Sequence, residues 1–231
     1  MKHTQGRTYS LSQMAGVLLA GLMSVAANGA TGAEKAAPAE SPKKEEMKMK
    51  NQWVNEHLLG AKPELPFSFV YDGKASEALL AEWPKKVESV KVDANRTQHT
   101  MTWTDPKTGL EIRCVATDYS DFPAVEWLLH LSNTGNTNSP IIEKIQALNC
   151  TLPAGDAGFV LHRSLGENNS AQSFEPVKEP LPPGDLRERV FAPQGGRSSD
   201  GNMPYFNVAW LGGGMALAIG WSGQWEAGFQ S

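Results

Sequence analysis

Short apolar runs at regular spacing, turn signals between them and one short helical pattern predict an all-β sandwich of antiparallel sheets. Strand character appears over residues 67–71, 87–92, 97–104, 110–117, 125–131, 141–148, 158–161, 187–191, 205–211 and 215–221. Between them stand Asp105-Pro-Lys-Thr-Gly109, Asn133-Thr-Gly-Asn-Thr-Asn138, Pro153-Ala-Gly-Asp156 and Leu181-Pro-Pro-Gly184. Gly and Pro set turn dihedrals, and Asn and Asp bond their own backbone, so these clusters punctuate strands. Strands this short, without helices alternating between them, favour a sandwich over βα units.

The chain has 231 residues, enough for one sizeable domain behind a leader. Lys2, His3 and Arg7 precede an apolar run over 14–27 and small residues over 28–33, the layout of a secretory signal peptide. Cleavage is expected after Gly29, Gly32 or Ala33, and the run is short for a permanent membrane anchor, the alternative reading. The product is therefore expected to be secreted or periplasmic, with no membrane span once the leader is cut. Residues 34–50 are Ala, Pro, Lys and Glu with little to bury, and predict a disordered tether. From 51 to 231 the composition is that of a folded domain.

The helical pattern covers 76–83: Ser76 can cap it, Leu79, Leu80 and Trp83 share a side, and Pro84 stops it. Residues 162–186 are rich in Ser, Asn, Pro and Glu, and predict a long loop or an irregular strand crossing.

Loss of Lys2 and Arg7 with the leader takes the formal charge from −4 to about −6. An acidic chain without clustered Lys and Arg lacks the electrostatic footprint for nucleic acid. The histidines at 3, 57, 99, 130 and 162 have no paired ligand spacing, so no metal or other cofactor is expected. His130, in an apolar strand, is expected to be a satisfied core histidine. Cys114 and Cys150 stand in strand-like contexts, either as a disulfide or as two buried thiols. No Gly-x-Ser-x-Gly elbow precedes a helix, and no carboxylate pair stands out. No catalytic residue is assigned.

The most informative stretch is 193–229, a polar glycine-rich loop, an apolar strand, a tight turn at 212–214 and a return strand. Period-two alternation would put Trp221, Gly223 and Trp225 on one face of that return strand. Such a surface stacks a sugar ring or packs within the protein. Trp103 and Trp127, mid-strand, are expected to pack.

This stretch resembles the N-terminal β-domain of glycoside hydrolase family 36 α-galactosidases. The family has a Gly-Arg-x-Ser-Ser-His loop, then Asn-Pro-Phe, then a strand ending in a Tyr-Ser-Gly-Asn-like sequence. Here stand Gly196-Arg197-Ser198-Ser199-Asp200, Met203-Pro204-Tyr205-Phe206 and Trp221-Ser222-Gly223-Gln224-Trp225, with Asp200 at the histidine position and Met203 at the asparagine. Leu65 to Lys74 with Leu79, Leu80, Trp83 and Pro84 resembles the family's first strand and short helix. Asp121 to Trp127 with Asn133-Thr-Gly135 resembles its central strand and turn.

The resemblance spans about 53–229. It implies a β-supersandwich that packs on a following (β/α)₈ barrel, shapes its sugar pocket and contributes to homo-oligomer contacts. The implied activity is retaining hydrolysis of terminal α-galactosides, with the catalytic aspartates in that barrel, for which no pattern begins before Ser231. Asp72 and Lys74, in an Asp-Gly turn before the helix, match by position the polar residues that reach the pocket in some family members. The rival reading is a stand-alone carbohydrate-binding β-sandwich without catalysis. A structural or adhesion β-domain, with every tryptophan internal, is the third.

Overall fold

The structure, a computed structural model, describes residues 16–20, 44–152 and 158–231. It is an all-β sandwich. Its strands are β1 (Gly16–Ala20), β2 (Ser68–Tyr71), β3 (Lys74–Ala75), β4 (Lys85–Lys91), β5 (Arg96–Thr104), β6 (Leu110–Tyr119) and β7 (Val125–Asn133). They continue as β8 (Ile142–Gln146), β9 (Phe159–Leu165), β10 (Pro176–Leu181), β11 (Arg189–Phe191), β12 (Asn202–Trp210), β13 (Gly213–Ile219) and β14 (Ala227–Phe229). Nine of them form one sheet in the order β10-β9-β12-β13-β1-β7-β6-β5-β4. Sheets β3-β2-β8 and β11-β14 complete the fold.

Alternation along β5, β6 and β7 sets the core. His99, Met101 and Trp103 are buried on β5; Leu110, Ile112, Cys114 and Ala116 on β6; Val125, Trp127 and Leu129 on β7. The register aligns them across the sheet, as in Met101↔Cys114 and Cys114↔Leu129. Trp103 and Trp127 are therefore core residues, as expected. Phe67 meets the Trp103 ring edge-on at 5.9 Å, and the Tyr71 hydroxyl donates to Asp105 Oδ2, just beyond β5, at 3.1 Å, which ties the three-stranded sheet to this face. At the other end Phe206 lies 5.8 Å from Phe191 and 5.0 Å from Phe229, so β11 and β14 cover β12.

Several expectations are corrected. Residues 44–50 are not an unstructured tether but belong to helix α1 (Lys44–Val54), followed by a π-helical turn (Asn55–Leu59). The helix needs no wide apolar face, because Lys50 is buried and bonds to the Asp118 carboxylate and to the Tyr119 carbonyl at 2.9 Å. Helix α2 (Ser76–Glu82) is thus the second helix of the fold. Ser76 is its first residue rather than its cap, and its hydroxyl accepts the Phe69 N–H at 3.1 Å.

The 162–186 stretch contains β10, whose Pro176 and Pro180 resemble a loop in sequence. A strand at the sheet edge tolerates prolines that a central strand does not. The β12–β13 turn is Leu211-Gly212, with Gly212 at φ 85° and Gly213 already paired to Trp210.

Of the leader expected over 1–33, only 16–20 are described, and their backbone pairs antiparallel with β7 and β13. The remaining leader residues, its expected cleavage points, the tether over 34–43 and the turn at 153–156 lie outside the described residues. Among the described residues no helix is long and apolar enough to cross a membrane. Cys114 and Cys150 are both free. Burial pushes the Cys114 thiol far up and the Cys150 thiol to about 11, so neither is an activated nucleophile.

Candidate functional site

The loop from Pro193 to Gly201 is a cross-braced unit. Gly195, Gly196 and Gly201 adopt φ of 69°, 76° and 76°, a region that glycine enters without steric cost. The Gln194 N–H donates to the Asp200 carbonyl at 2.8 Å, and the Asp200 N–H to the Arg197 carbonyl at 3.2 Å. Glu167 lines the other side, donating its N–H to the Ser199 carbonyl at 2.9 Å and accepting from the Gly201 N–H at 3.0 Å. Gly166 permits this approach: a Cβ there would stand 2.0 Å from the Ser199 oxygen.

The return segment clamps the loop from below. Trp225 Nε1 donates to the Ser198 carbonyl at 2.7 Å and Gln224 Nε2 to the Pro193 carbonyl at 3.1 Å. Trp225 is buried, its ring edge-on to Phe206 at 5.9 Å. Strand β13 ends at Ile219, so Trp221, Gly223 and Trp225 do not share a strand face. The chain leaves the sheet there because Trp225 is tied to the loop and β14 pairs with β11 instead. Trp221 is half-buried and folds over Gly223, whose Cβ would lie 2.9 Å from the indole nitrogen. The indole of Trp221 thus occupies the space above Gly223.

Among the other residues singled out from sequence, Arg197 and Asp200 form an ion pair at 3.0 Å, with Arg197 largely exposed. Asp200 thus neutralises the loop's own arginine. Ser198 and Ser199 contribute backbone carbonyls to the brace. Asp72 and Gly73, both at positive φ, make the exposed two-residue turn between β2 and β3, with Lys74 exposed beside it. Asp72 and Lys74 belong to the three-stranded sheet, whereas the loop stands over β12 and β11; the two groups are separate features.

A second node has no signal in the sequence. Arg163 Nε donates to Glu179 Oε1 at 2.7 Å, Nη1 donates to Asn202 Oδ1 at 3.2 Å, and the guanidinium lies 4.5 Å from the Phe191 ring centre. Asn202 in turn donates to the Ala192 carbonyl at 2.8 Å, linking β9, β10, β11 and β12 at the foot of the loop. Nothing in the 162–186 composition signals this pairing, because it depends on the register of β10. His130 is corrected: it alternates away from the buried face of β7, half-exposed, beside Arg113. The core histidine is His99, whose Nδ1 lies 2.7 Å from Ser89 Oγ.

Chemically, the loop offers a rigid polar rim with exposed Gln194 and Arg197, and carboxylates that are already engaged. Among the described residues no group of three or more His, Cys, Asp and Glu side chains is placed to hold a metal ion. No family model, curated protein or solved structure matches this chain.

Proposed function

We propose that this chain is the N-terminal β-supersandwich of an exported α-galactosidase-like glycoside hydrolase acting on terminal α-galactosides. In that reading the catalytic carboxylates belong to a (β/α)₈ barrel on which the domain packs, and the domain supplies one wall of the pocket and oligomer contacts. The observation that supports it is the braced loop: Trp225 holds it at the Ser198 carbonyl and Gln224 at the Pro193 carbonyl. A preorganised polar rim suits a wall that positions a substrate bound elsewhere. A second reading, a stand-alone carbohydrate-binding module, draws support from the half-buried Trp221 indole next to exposed Ser222 and Gln224.

A sugar titration separates the two. A single wall desolvates little of a ligand and must still offset the entropy of holding it, so affinity weaker than about 1 mM is expected. Galactose or raffinose added to tens of millimolar should neither quench tryptophan fluorescence saturably nor raise the melting temperature. Saturable millimolar binding that Trp221→Ala abolishes would favour the stand-alone module.

A further inference from the structure

We propose that helix α1 is a pH-dependent latch, docked on the core face of β5, β6 and β7 through Lys50 and released when His99 takes up a proton. The two described buried residues of α1 are Lys50 and Val54, and Lys50 ties the helix to β6 through Asp118 and the Tyr119 carbonyl. Trp53, near the helix end, stacks on Trp127 at 5.6 Å. Trp127, Ala116 and His99 form one cross-strand row, and Asp118, two residues along β6 from Ala116, lies diagonal to His99 on the same face.

The charges around that histidine couple it to the latch. Ser89 of β4 meets its Nδ1 at 2.7 Å, Asp118 of β6 favours its protonation, and Lys50 of α1 opposes it. Lys91, farther along the same face of β4, is exposed, Glu46 stands one turn before Lys50 on α1, and the His57 ring lies 4.7 Å from that of Trp53. A protonated His99 would put two buried cations beside one carboxylate and weaken the hold of Asp118 on Lys50.

The sign follows from burial, which is the largest effect on His99 and lowers its pKa below the ordinary histidine value. A group of this kind binds protons more readily once exposed. The closed latch is therefore fully favoured above about pH 6.5 and loses ground as pH falls below it. Excluding one such proton shifts the open-closed ratio by at most about thirtyfold between pH 7.5 and 5.0.

Hydrogen exchange of the full chain, corrected for intrinsic rates, tests this at the two pH values. Protection of α1 amides should fall at pH 5.0 relative to amides of β6 and β7, by up to about thirtyfold. His99→Gln, which keeps a polar partner for Ser89, should remove that difference. Lys50→Met, which leaves Asp118 unpaired, should lower α1 protection at both pH values. The latch is overturned if wild-type α1 is equally protected at both, if His99→Gln keeps the same pH difference, or if Lys50→Met leaves protection intact. The β6 and β7 amides report global unfolding in the same experiment, so local release is read directly.

Discussion

Trp225→Ala is expected to destabilise the protein by about 3–5 kcal/mol, the cost of emptying a buried tryptophan site. The indole is 6 % exposed, packs on Phe206 and holds the Ser198 carbonyl at 2.7 Å. Truncation would leave both a cavity and an unbraced loop. Proteolysis should then cut within 194–200, where the braced wild-type loop is expected to resist. Trp221→Ala, at a half-buried indole resting on Gly223, should cost only about 1 kcal/mol and leave the loop protected. Equilibrium denaturation of the two variants side by side, with limited proteolysis as the local readout, checks the contrast. Equal losses would mean that the loop does not depend on Trp225.

Trp127→Ala should have the largest effect on the fold, about 5 kcal/mol or more. Trp127 is 1 % exposed, stacks on Trp53 and donates Nε1 to the Ala147 carbonyl at 2.8 Å. Its loss removes packing between the nine-stranded sheet and α1, and it frees a carbonyl just beyond β8. Set against a total stability of about 5–15 kcal/mol, that change should leave a marginal fold. Trp127→Phe, which keeps a ring but not the donor, should retain most of the stability. Urea denaturation midpoints for the pair test both parts of the effect.

The central strands were legible because alternation along 97–104, 110–117 and 125–131 matches a sheet with one buried face. The Asp72-Gly73 turn was legible for a similarly local reason, its demand for positive φ at both positions. Features resting on long-range partners were not. Lys50 in a Lys- and Glu-rich run carries no sign that Asp118, 68 positions away, will bury it. The Pro-flanked β10 depends on lying at an edge, and β14 is too short to show alternation. The face expected of Trp221 and Trp225 failed because a period-two reading assumes the strand continues, and β13 stops at Ile219. The loop over 196–200 stands out in the sequence as a polar, glycine-rich stretch, but its brace is mainly backbone carbonyls, which residue types do not reveal.

The most direct measurement is the α-galactosidase activity of the native polypeptide that carries residues 193–229, captured from its source cells with an antibody to this domain and compared with the 231-residue chain. An aryl α-galactoside should be hydrolysed by the captured polypeptide, with release of galactose, and left untouched by the 231-residue chain if, as proposed, the paired carboxylates belong to a barrel. A captured polypeptide that is inactive on α-galactosides, or turnover by the 231-residue chain that survives a second purification, would contradict the proposed division of labour between this β-domain and a catalytic barrel.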